Sequence, residues 1–194
     1  MMGAPSKTTF GRRALLGVGA CGLGALLLPR RAEASLFRGL SLLDLSQVSE
    51  LILVATPLSA SSHWETLGGR RRIVTDTRVR VEDVVAKSVP TDGELLVRTL
   101  GGTVGERAAL VYGEAALFLN QTSVLFMVQS AGALRVTGMA QGHYPLLADP
   151  SQTLRLTPSP RAAELVGDAE PAMHVLAGQE LGHARALIRA ALGQ

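Results

Sequence analysis

Cysteine is nearly absent from this chain of 194 residues: the single one, Cys21, sits in an apolar run near the start. One cysteine excludes an internal disulfide and a zinc site built on several thiolates. Aromatic residues make up 4% of the chain, with one tryptophan and two tyrosines, which leaves little for a base- or sugar-stacking platform. The four histidines, His63, His143, His174 and His183, form no His-Glu-x-x-His pattern, and no pair lies four apart, so no helix-borne metal site is expected. Glu180 and His183, three apart, read as a surface pair on a helix. No Gly-x-Ser-x-Gly elbow puts a serine in a nucleophile's setting. Gly101-Gly102-Thr103-Val104-Gly105 lacks the Gly-Lys-Ser/Thr ending of a phosphate loop and reads as a connection between strands. No catalytic set and no cofactor site are therefore expected.

The amino terminus is richer. Lys7, Arg12 and Arg13 precede an apolar stretch from Ala14 to Leu28, and Arg30, Arg31 and Ala32-Glu33-Ala34-Ser35 follow it. A basic start, a short apolar middle and an Ala-x-Ala end describe a cleavable export signal, with Ala32 and Ala34 before the cut and Ser35 after it. The apolar stretch falls short of the roughly 20 residues a membrane span needs. Thr9-Phe10-Gly11-Arg12-Arg13-Ala14-Leu15-Leu16 resembles the twin-arginine signals that bacterial exporters read as an address, with Arg12 and Arg13 as the recognised pair. Gly11 and Leu15 stand where Ser or Thr and Phe are commoner. Two alternatives stay open: an ordinary secretory signal, and lipid anchoring through Cys21 after Val18-Gly19-Ala20. Residues 1–34 are thus expected to be removed, leaving a periplasmic or extracellular protein with no integral membrane span. The export machinery and signal peptidase would be its first partners.

Removing that leader changes the charge. Its five basic residues and one acidic residue, taken from 19 and 16, leave 14 basic against 15 acidic, a net charge of −1. The basic balance of the whole chain therefore belongs largely to the leader. A nucleic-acid partner would want a basic face on what remains, and none is expected. Arg70-Arg71-Arg72 is the one local basic run.

Along the remainder, Leu42 to Glu50 reads as a short helix with Asp44 or Ser46 as its cap, inside a lead over 35–50. Leu51-Ile52-Leu53-Val54-Ala55 reads as a buried strand, which Pro57 allows to continue only at an edge or bend. Leu67-Gly68-Gly69 is a turn between two strand-like runs. Ile73, Thr75, Thr77, Val79 and Val81 alternate with Val74, Asp76, Arg78, Arg80 and Glu82, the mark of a half-exposed antiparallel strand. Further strands are expected over Leu95 to Leu100, Ala115 to Leu119, Ser123 to Val128 and Leu134 to Met139, with a tight turn at Pro90-Thr91-Asp92-Gly93. After the strand region, 51–147, comes a connector and a terminal helix, 148–194, with Leu181, Ala184, Leu187, Ile188 and Ala191 on one face. A mainly β fold with helices at both ends fits a small barrel or sandwich, and a parallel α/β sheet is excluded because strands and helices do not alternate.

The order of these runs resembles a widespread set of uncharacterised exported bacterial proteins. The residues that carry the likeness are Val84-Val85-Ala86-Lys87, Val97-Arg98-Thr99, Val124-Leu125-Phe126 and Gly138-Met139-Ala140-Gln141-Gly142. The strand order is also similar to netrin-like modules and tissue inhibitors of metalloproteinases. That resemblance implies a small Greek-key barrel of the oligonucleotide/oligosaccharide-binding (OB) type. The inhibitors reach a protease zinc through an amino-terminal cysteine, and a start at Ser35 offers none.

His63 and Trp64, with Arg70, Arg71 and Arg72 across the turn, are the candidate binding surface. The expected role is a non-catalytic exported binding module for an envelope or secreted protein or polymer. An inhibitor or accessory factor of an exported metalloprotease, and an enzyme without a recognisable motif, are the alternatives.

Overall fold

The computed structural model describes residues 37–87, 93–162, 165–166 and 170–194, all within one unit, Ala34–Gln194. Arg12, Arg13, Cys21, Ala32, Ala34 and Ser35 lie outside the described residues, as does most of the Pro90–Gly93 turn. In chain order come β1 (Phe37–Arg38), α1 (Leu42–Val48), β2 (Leu51–Leu67), β3 (Arg70–Ala86) and β4 (Glu94–Leu100). A small hairpin follows, β5 (Gly102–Val104) and β6 (Arg107–Ala109), then β7 (Ser123–Ser130), β8 (Ala133–Val136), β9 (His143–Ala148) and β10 (Leu154–Leu156). The last elements are β11 (Leu165–Val166), α2 (Ala172–Leu176) and α3 (Leu181–Ala191). The fold is mainly β, around one sheet of seven strands in the order β10-β9-β7-β2-β3-β4-β8, with a further β7–β8 pairing.

The apolar run at the start of β2 is buried on both faces, and this organises the domain. Ile52 and Val54 join Val124 and Phe126 of β7 in one core, closed by Leu45 of α1, Leu176 of α2 and Ala184 and Ile188 of α3. Leu51, Leu53 and Ala55 point the other way, with Leu125 and Met127, toward Val79, Val97 and Val136. A strand with two dry faces cannot alternate with polar residues, which is why this segment is continuous in hydrophobicity. The terminal helix buries Ala184 and Ile188 at the spacing its sequence predicts.

Pro57 is passed without ending β2. The ladder to β3 shifts register between Pro57 and Ser59, and pairing to β7 has already stopped at Ala55. A proline with no donor is tolerated where no ladder bond is asked of it.

Three expectations are corrected. The cap of α1 is neither Asp44 nor Ser46 but Ser41, whose Oγ accepts from the Asp44 amide (3.1 Å) and donates to the Asp44 carboxylate (2.7 Å). Asp44 is thus the third residue of the helix, the position from which a carboxylate reaches back to its cap. Ala115 to Leu119 forms no strand: it pairs in no ladder and Leu119 lies in a turn, although Ala115 and Ala116 are buried. The segment after Tyr144, which lacks clear periodicity, holds β10 and α2, both too short to show a period.

Lys87, just after β3, caps the end of α1. Its backbone is left-handed (φ 51°), and its Nζ donates to the carbonyls of Ser46 (2.8 Å), Gln47 (2.8 Å) and Ser49 (2.9 Å). Those are the unsatisfied acceptors at the end of α1, where a cation is also favoured by the helix dipole. Lys87→Met is expected to lower stability by about 2 kcal/mol in urea unfolding, the scale of charge-assisted bonds at a half-exposed site. Lys87→Gly relieves the left-handed backbone but removes the same three bonds, so a glycine variant as stable as wild type would refute the capping role.

Gln141 performs a similar service. It accepts from the Leu40 amide (2.8 Å) and donates to the Arg38 carbonyl (3.1 Å), tying the amino-terminal lead to the 3-10 turn at Met139–Gly142.

Candidate functional site

Strands β2 and β3 run past the rest of the sheet as a two-stranded arm. Its turn is Gly68-Gly69, both with positive φ (57° and 75°), as a two-residue hairpin turn requires. The pairs His63↔Val74, Glu65↔Arg72 and Leu67↔Arg70 alternate with Trp64↔Ile73 and Thr66↔Arg71. Residues directly opposite share a face, so the five candidate residues are divided. His63, Arg70 and Arg72 stand on one side of the arm, Trp64 and Arg71 on the other.

On the first side, His63 belongs to a charged cluster that sequence reasoning missed. Arg98 of β4 forks onto Asp76 through Nε to Oδ1 (2.6 Å) and Nη2 to Oδ2 (2.7 Å), and its Nη1 donates to Glu65 Oε2 (2.6 Å). The Nδ1 atom of His63 lies 3.8 Å from Asp76 Oδ2. The hydrogen bonds from Arg98 hold the Asp76 carboxyl below the usual carboxylate range, and Asp76 in turn raises Arg98. Asp76 and Arg98 are visible in sequence as the polar parity of two strands, but their meeting depends on the β3–β4 register, Asp76↔Arg98. Arg98 is fully engaged by two carboxylates, so this cluster is a brace across three strands.

The second side is open. The Arg71 guanidinium carbon sits 4.9 Å from the centre of the Trp64 ring, a cation–π contact. Beside it runs an open groove of about 650 Å3 between the arm and the β5–β6 hairpin, bordered by Arg72, Ile73, Leu100, Glu106, Arg107 and Ala108. The hairpin is held against the arm by Gly102, whose φ of 124° only glycine adopts readily. A Cβ there would lie 2.2 Å from Thr75 Oγ1 and 2.3 Å from Ser62 Oγ. The run Gly101–Gly105, expected to be a plain connection, holds β5, the strand that backs the groove-lining β6.

Elsewhere several titratable groups are committed to structure. His143 is buried between two hydroxyls, with Ser159 Oγ 2.9 Å from Nδ1 and Ser123 Oγ 3.2 Å from Nε2, and desolvation depresses its pKa to about 4. Glu114 accepts from the amides of Leu100 and Ala115 (both 3.0 Å), and burial raises its pKa. Glu180 meets Arg155 (3.2 Å) rather than His183. Among the described residues, no three His, Cys, Asp or Glu side chains are gathered for a metal ion, and no helix is long and apolar enough to cross a membrane. No protein-family model, curated protein or solved structure matches the chain.

Proposed function

We propose that this protein is an exported, non-catalytic binding module whose contact surface is the groove beside Trp64 and Arg71. The observation that carries the reading is the stacked Trp64–Arg71 pair on an open groove. Aromatic and arginine side chains dominate binding energy at interfaces, and the chain places its one tryptophan there. Three of the groups that could instead do chemistry are engaged: Arg98 with two carboxylates, Lys87 with three carbonyls, His143 with two serines.

The framework of this module is, in our reading, an OB-like Greek-key barrel. Its support is a circuit of pairings, β2 to β3 to β4 to β8 to β7 and back to β2, in which β4 and β8 run parallel and the other pairs antiparallel. Export is supported by the leader: the Arg12-Arg13 pair, the short apolar stretch and Ala32-Glu33-Ala34.

The test is affinity capture on immobilised protein from the envelope and secreted fractions of the producing bacterium, alongside peptide and glycoside hydrolysis panels. A discrete species retained by wild type and lost with Trp64→Ala is expected, with silent panels. Hydrolysis abolished by His143→Gln or His183→Gln would overturn the reading, as would capture indifferent to Trp64.

A further inference from the structure

The groove has walls of an unusual kind: two strand edges that pair with no further strand among the described residues. β3 pairs with β4 only from Val74 to Arg80, so no strand lies along Arg70–Arg72 on the side away from β2. The Gly101 amide donates to the Ile73 carbonyl (2.8 Å), which fixes Ile73 as outward-facing. In an antiparallel ladder alternate residues share that direction, so the amide and carbonyl of Arg71 also point away from β2. The opposite wall is β6, the edge of a two-stranded sheet. Its pair Val104↔Arg107 flanks a two-residue turn and is hydrogen-bonded, so by the same alternation Ala108 turns its amide and carbonyl away from β5.

The charge around these edges is equally unbalanced. Arg78, Arg80, Arg98, Arg155 and Arg185 each face a carboxylate. Arg70, Arg71, Arg72 and Arg107 have no ion pair among the described residues, and all four are exposed. The acids nearest them are Glu106, on the groove rim, and Glu65, which is already held by Arg98. In a processed chain of net charge −1, three unanswered arginines on one groove, Arg71, Arg72 and Arg107, with Arg70 beside them on the arm, are a local excess that an anionic partner would neutralise.

We propose that this groove binds an extended acidic peptide segment, which adds as a strand along the open edge at Arg71 and sets its carboxylates on Arg70, Arg71, Arg72 and Arg107. The proposal rests on the binding-module reading above and names the partner's chemistry. Strand addition takes affinity from main-chain hydrogen bonds and specificity from alternate side chains. Here the alternate positions meet Arg70 and Arg72 on one face of the arm and Arg71, stacked on Trp64, on the other. An acidic glycan or a nucleic acid would satisfy the arginines but leave the paired amide and carbonyl edges unused.

Trp64 is the only tryptophan, so its fluorescence reports the groove directly. The probe is a short blocked peptide alternating glutamate and valine, titrated into the full protein. A saturable fluorescence change is expected, weakened by added salt and by about tenfold or more in Arg71→Glu/Arg72→Glu. Methylating alternate backbone amides of the peptide, tested on unaltered protein, is expected to weaken binding about tenfold as well. Equal binding of the methylated peptide would overturn strand addition, and so would absence of any response to the acidic peptide. Tighter binding of oligogalacturonate or an oligonucleotide would overturn the peptide assignment while leaving the binding-module reading standing. That reading falls separately, if capture of the native partner is indifferent to Trp64.

Discussion

Phe126→Ala is expected to cost about 4 kcal/mol of unfolding free energy, the range found when a fully buried aromatic ring is truncated in a core that cannot collapse around the loss. The ring is completely buried and sits edge-on to Tyr144, with centroids 5.9 Å apart and planes at 66°. It lies where β7 meets the helical layer, so its neighbours belong to elements from both ends of the chain: Leu45 of α1 and Ile188 of α3 share its cluster. None of these can move inward without dragging a helix. Urea unfolding at neutral pH measures the loss, with Leu96→Ala as the control, since Leu96 is 56% exposed and its truncation should change stability by less than about 0.5 kcal/mol. A loss below about 1 kcal/mol for Phe126→Ala would show that the helices do not form one core with the sheet.

Acid should weaken the domain well before its carboxylates titrate. His143 has a folded pKa of about 4 against about 6.5 when unfolded. Between those values the unfolded chain binds a proton that the folded chain does not. Stability is therefore fully present above about pH 6.5 and declines as pH falls toward 4, by about 3 kcal/mol in all. Glu114, whose pKa is raised by burial, works the other way, gaining stability as pH falls through its raised value. The comparison that isolates the histidine is wild type against His143→Gln, since both retain Glu114. The difference in their urea midpoints should narrow steadily from neutral pH to about pH 5. A constant difference would mean that the His143 pKa is the same in the folded and unfolded chains, and a widening one that the folded protein favours the protonated ring.

Much of the strand pattern could be read from residue order because it depends on local alternation. Leu51 to Ala55 announced a strand buried on both sides, and the alternation from Ile73 to Glu82 announced β3. Elements of three to five residues, β10 and α2 among them, carry too little pattern to stand out. Ala115 to Leu119 suits a strand by composition but joins no ladder, and a ladder needs a partner as well as a sequence. The candidate site was half legible. Trp64 and the arginines after the turn were visible as residues, whereas their division onto two faces depends on register. The Arg98 brace and the β5–β6 wall depend on contacts between strands distant in sequence, which composition does not encode.

The double burial of β2 also sets an order of events during synthesis. Leu51 to Ala55 can pair with β3 as soon as the hairpin emerges, but its other edge waits for Ser123 to Met127. At roughly 5–20 residues per second, the ribosome takes several seconds to deliver that segment. The helical cover arrives later still, because α3 follows β7 in the chain. Throughout that interval the nascent chain carries an unsheltered apolar strand, so a chaperone that recognises extended hydrophobic segments would find its natural target at Leu51–Ala55 and would be displaced only when the final turn of α3 docks.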